Sequence, residues 1–228
     1  MKKEKKSTIE KIGGVINLFG NAILMNLLFL AACLPIVTIG QAWCGLLSAI
    51  HYNIRGESWF AGFKTGFKTR FWRGTIVWCL GLVACFFLMN DINQAMVAKA
   101  YAMLPFSWVM FAFVAMVVQS ALLLNVYIYT DVNNWIKNMI NLLFKGFVPL
   151  LICTALFWAP VVVVFLFNAW VVYECAMILI CAYFAAIALV CTMTMKGHLT
   201  DMLLQCRADG LIIAEEGLQK DPSEEDEE

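Results

Sequence analysis

The sequence predicts an all-α, polytopic membrane helix bundle, and three observations carry that prediction. Of 228 residues, 62% are apolar and only 14% are charged, whereas roughly a quarter of residues are charged in soluble domains. Between Lys145 and Lys196, Glu174 is the sole charge, in a stretch that suits two bilayer crossings of about twenty residues each. The apolar runs do not alternate with polar residues, as barrel strands would. Helices remain, because backbone groups in hydrocarbon must be satisfied within the spanning element.

Residues 1–13 form a basic N-terminus with Lys2, Lys3, Lys5, Lys6 and Lys11. The apolar stretch that follows exceeds the roughly 7 to 15 residues of a signal-peptide core, so it is read as a retained membrane segment. About six membrane-embedded segments are expected within a membrane domain of residues 14–195: 16–34, 36–52, 74–90, 104–129, 146–167 and 170–195. Five are clear. The sixth, 36–52, carries Thr38, Gly40, Gln41, Gly45, Ser48 and His51, so it would enter lipid poorly alone and needs helices around it. Gly40, Gly45 and Ser48 are small enough for that close packing. Residues 196–228 form a tail that ends in the acidic run DPSEEDEE, too polar to pack and expected to be disordered.

Basic residues set the parity. Five lysines precede the first segment; Arg55, Lys64, Lys68, Arg70 and Arg73 fill the next connector; Lys137 and Lys145 precede the fifth segment; Lys196, Arg207 and Lys220 follow the last. An even number of crossings places all of these, every Lys and Arg but Lys99, on the cytoplasmic side of the cell membrane, with both termini there. That parity requires the chain from residue 16 to 52 to enter and return, as a full or a re-entrant hairpin. Leu34-Pro35 is the expected turn, since proline removes a backbone donor and disfavours helix before it.

The connector after Tyr52 is the most patterned stretch outside the spans. An interfacial amphipathic helix is expected over 58–72, with Phe60, Phe63, Phe67 and Phe71 on one face and Lys64 and Lys68 beside them. Such a helix suits the headgroup plane of an anionic leaflet, and the same face could equally dock a protein partner.

Polar side chains within the spans are uncharged and few. Asn17, Asn21, Asn26, Thr38, Gln119 and Asn125 are expected to bond neighbouring helices; the competing use is a solute path between Asn17/Asn21 and Gln119/Asn125. Glu174 is expected at an external interface. Nine cysteines include no CxxC pair and are read as packing groups. The isolated His51 and His198, with no HExxH, GxSxG or P-loop, give no catalytic set. No cofactor or metal motif is present, and the formal net charge of zero offers nothing to a nucleic acid.

Asn26-Leu27-Leu28-Phe29, Leu34-Pro35-Ile36-Val37-Thr38-Ile39-Gly40, and the Phe63-Lys64 and Phe67-Lys68 repeat occur in the order in which the YesL family (DUF624) carries them. The chain resembles that family from about Gly14 to Lys196. The resemblance implies a small integral membrane protein of a Gram-positive bacterium, encoded near carbohydrate ABC-transport and glycan-degradation genes, with no established activity to carry over. It also implies that Pro35 and Gly40 are a structural signature. The expected function is an accessory or interaction component of carbohydrate uptake, not an enzyme, with the bilayer and a carbohydrate ABC transporter or its regulators as partners. A small-solute transporter or channel is the alternative. Nothing in the sequence sets an oligomeric state.

Overall fold

The computed structural model describes residues 20–128, 130–166 and 183–208. Among them the chain is helical with no strand: α1 Gly20–Ala32, a 3₁₀ turn Ile36–Thr38, α2 Ile39–Ile54, α3 Trp59–Lys68, α4 Phe71–Val97, α5 Leu104–Tyr127, α6 Val132–Lys145, α7 Phe147–Leu166 and α8 Phe184–Ala208. Asn17, Glu174 and the acidic tail lie outside the described residues.

Long unbroken apolar sequence produces α4 and α5. Their 27 and 24 residues carry window hydropathies of 1.9 and 2.2, and both are long and apolar enough to cross a membrane. They pack on each other, and their outward positions Leu80, Phe86, Phe106 and Val109 are bare apolar side chains, as lipid-facing positions are. A third candidate is bent. α6 and the first part of α7 pass the same length and hydropathy test together but meet at 95°. The chain is therefore a helical membrane protein in which, among the described residues, two helices are each long and apolar enough to cross and a third candidate is broken.

The weakest expected segment became the centre of the molecule. Every residue from Gly40 to Ile50 of α2 is buried, and α3, α4, α5 and α8 all pack against this helix. Its polar residues thus avoid lipid through protein contact, which is the condition its composition demanded. A Cβ on Gly40 would lie 2.5 Å from the Trp78 Cβ, and one on Gly45 would lie 3.2 Å from the Phe63 ring. Small side chains are what let α4 and α3 close on α2.

Aromatic rings tie the layers together. Phe29 of α1 meets Trp43 of α2 at 6.2 Å, Trp43 meets Phe157 of α7 at 4.7 Å, and Trp78 of α4 stacks on Trp158 at 5.9 Å. Phe111 of α5 sits edge-on to Trp158, and Phe184 of α8 packs on Phe29 at 4.9 Å. Such pairs add about 0.5–1.5 kcal/mol each beyond area burial. One continuous aromatic seam thereby reaches six helices.

Several boundaries differ from expectation, α4 extending to Val97 rather than residue 90 among them. The helix expected over 58–72 stops at Lys68; Thr69 is extended and Arg70 takes a left-handed conformation with φ 47° before α4 begins at Phe71. Gln41 explains the stop, since its amide caps the end of α3. The last helix also continues unbroken from Phe184 through Lys196 to Ala208, so the expected border at 195/196 falls inside it.

Candidate functional site

The Pro35 turn is built from its own sequence. Breaking the helix frees carbonyls, and the Thr38 hydroxyl donates 2.6 Å to Ala32 O while lying 2.7 Å from Pro35 O. The Trp78 Nε1–H donates 3.0 Å to Ile36 O, fastening α4 to the turn. That approach is possible because Gly40 has no side chain to meet Trp78. Leu34, Ile36 and Val37 remain exposed around the turn.

Below the turn lies a buried polar layer. Gln41 Nε2 donates to Gly66 O at 3.2 Å and to Thr69 O at 2.7 Å, taking up carbonyls left open at the end of α3. Asn125 of α5 approaches Cys44 Sγ at 4.0 Å, and the Cys44 thiol points to Leu122 O at 3.6 Å. Gln41 Oε1, Thr75 Oγ1 and Asn125 Oδ1 are buried without a protein partner.

Two of the connector's arginines are structural. Arg70 donates to Ile128 O at 3.4 Å and to Thr130 O at 3.0 Å, and Arg73 donates to Thr130 O at 3.2 Å. These carbonyls lie just past the end of α5, where cations oppose the negative end of the helix dipole.

The aromatic stripe of the connector is divided: Phe63 and Phe67 pack into the bundle, whereas Phe60 is exposed. Phe63 stacks on Phe67 at 6.0 Å, and Phe67 meets Phe71 at 5.7 Å across the helix break. Phe63 is only 6% exposed. α3 folds back antiparallel along α2: Gly62 abuts Tyr52, and Gly66 abuts Cys44 and Ser48. Gly62 and Gly66 thus dock one side of this helix on protein. What α3 presents outward is Phe60 of the expected stripe together with Lys64 and Lys68, one helical turn apart.

Each of these contacts has at least one partner in one region of the chain. Residues 22–92 match the DUF624 family model, described as a protein of unknown function. No curated protein and no solved structure matches the chain. The DUF624 stretch contains the Asn26-to-Phe29 element, the Pro35 turn, the buried α2 and the α3 repeat, and it ends within α4.

The remaining sequence-predicted residues are dispersed. Asn21 donates 2.9 Å to Asn53 Oδ1, and Asn26 Oδ1 accepts from the Ala185 backbone N–H at 3.2 Å in the first turn of α8. Asn26 thus joins the DUF624 region to the last helix. Gln119 and Asn125 are buried in α5. Asn17 falls outside the described residues. Tyr127, 3.2 Å from Thr192 through their hydroxyls and edge-on to His51 at 5.7 Å, makes another interhelix link that sequence reasoning missed.

The cysteines are packed as expected: all seven described are free, five of them buried in α2, α4, α7 and α8 at positions 44, 85, 153, 191 and 206. No group of three His, Cys, Asp or Glu able to hold a metal ion occurs among the described residues. A surface cavity of about 330 Å³ opens between the end of α6 and α8, lined by Lys145, His198, Asp201 and Gln205 with Met202 and Leu204.

Proposed function

We propose that this chain is a non-enzymatic, accessory membrane component of a carbohydrate-uptake system in a Gram-positive cell membrane, binding its partner through the outward row of α3. The observation that carries this reading is a division of labour among polar groups. Inside the bundle, Asn21, Asn26, Thr38 and Gln41 are occupied by side-chain and backbone partners. Outside it, Phe60, Lys64 and Lys68 form a basic and aromatic row on a helix that is itself rigidly held. Polar side chains used in this way to join helices suit a scaffold better than a conduit, although Gln41 Oε1, Thr75 Oγ1 and Asn125 Oδ1 are buried with no protein partner. The link to sugar uptake rests on the family resemblance.

The test uses Phe60→Ala/Lys64→Glu/Lys68→Glu in the full chain, leaving Phe63 and Phe67 to hold α3. Purified from native membranes, the wild type should retain a carbohydrate ABC transporter subunit that the triple variant loses at unchanged thermal stability. Equal recovery from both, or solute flux by the purified protein in proteoliposomes, would sink the reading.

A further inference from the structure

The sequence offered α6 only as two lysines before a span, yet its side chains divide into three sectors at 3.6 residues per turn. Trp135, Met139 and Leu142 pack on the bundle. Val132, Ile136, Ile140 and Phe144, four residues apart, are bare, Phe144 being 81% exposed. Asn133, in the first turn, is the one polar side chain of that sector. Lys137, Asn141 and Lys145 follow on the far flank, and the helix holds no acidic residue.

We propose that α6 lies in the plane of the cytoplasmic leaflet, with the Val132/Ile136/Ile140/Phe144 row in the acyl boundary and Lys137 and Lys145 on anionic phospholipid headgroups. Three features commit the bare row to lipid. α6 meets α7 at 95° across Gly146, so a helix crossing the bilayer as α7 would leaves α6 parallel to its surface. The row also runs directly onto the exposed apolar side of α7 at Phe147, Val148, Leu151 and Ile152, making one continuous apolar surface around the bend. Finally, Lys137 and Lys145 stand beside the apolar row on a helix that itself carries no acidic residue, an arrangement that an anionic leaflet attracts; Asp201 shares the surface cavity with Lys145. The inference concerns a different helix from the proposed docking row and stands without it.

The full chain, reconstituted in phosphatidylglycerol/phosphatidylcholine nanodiscs, tests this in two ways. A photoreactive benzoylphenylalanine at Phe144 should give lipid adducts by mass spectrometry, several-fold more than the same group at Asn141. Phosphatidylglycerol retained after detergent extraction should be enriched over its bilayer fraction, and Lys137→Gln/Lys145→Gln should remove most of that enrichment while Lys64→Gln/Lys68→Gln should not. Adducts from Phe144 to a second copy or another protein, equal lipid adducts at both positions, or enrichment unchanged in the Lys137/Lys145 variant would each overturn the proposal.

Discussion

The Asn21 side chain donates to Asn53 at 2.9 Å, joining the first described turn of α1 to the last turn of α2. The two helices therefore run antiparallel, and their outer ends share one side. Epitope tags placed before Gly20 and in the Arg55–Ser58 turn should be equally accessible to antibody from the cytoplasmic face of inverted vesicles. Opposite accessibility would break the hairpin reading. Asn21→Leu should cost about 1 kcal/mol, the typical net worth of one such bond, read as a modest fall in thermal stability in detergent.

Glycines on α3 are predicted to be intolerant of a single methyl. A Cβ at Gly62 would come within 2.7 Å of the Tyr52 ring, and one at Gly66 within 2.7 Å of Cys44 O. Gly62→Ala and Gly66→Ala should each destabilise by about 1–3 kcal/mol through overpacking. Gly197→Ala is the control, since nothing lies within 4 Å of it; there the helix should gain up to about 1 kcal/mol. Thermal unfolding of the three variants checks the ordering.

Gln41→Leu keeps the size of the side chain and removes the donor that caps α3. Two carbonyls, of Gly66 and Thr69, then lose their side-chain partner, at a cost of about 1–3 kcal/mol. Protease cleavage near Thr69 should accelerate more than cleavage elsewhere. Gln41→Glu tests the chemistry separately, because a carboxylate cannot donate to a carbonyl and should rescue nothing.

At the Pro35 turn, Thr38→Ser should be nearly neutral and Thr38→Val should lose about 1 kcal/mol, since the valine is isosteric but cannot reach Ala32 O with a proton. Trp78→Phe should cost more, because it removes both the bond to Ile36 O and part of the stack on Trp158. Intrinsic fluorescence and thermal unfolding distinguish the two losses.

Much of this turn was legible in the sequence. Pro35 breaking the helix, Thr38 serving the freed carbonyls and Gly40 admitting a neighbour follow from backbone chemistry within a few residues. The docking of α3 on α2 goes beyond the expected aromatic face of Phe60, Phe63, Phe67 and Phe71, although its signal is present. Gly62-x-x-x-Gly66 is a small-residue spacing that brings helix backbones together. The period of α6 was equally visible at Val132, Ile136, Ile140 and Phe144, but short amphipathic helices are masked by hydropathy windows tuned to spans. Which distant groups Asn26 and Gln41 would meet depends on tertiary packing, and local pattern has no access to that.

The enclosure of α2 bears on how the protein is made. Ribosomes deliver this helix before α4, α5 and α8, the neighbours that shield it, and the bond from the Ala185 N–H to Asn26 forms once α8 is made. During synthesis the early hairpin must therefore wait, half-wetted or held by the insertion machinery, until nearly the whole polypeptide has emerged. Assembly is a late, collective event here, and a nascent chain stalled before residue 184 would be a substrate for membrane quality control.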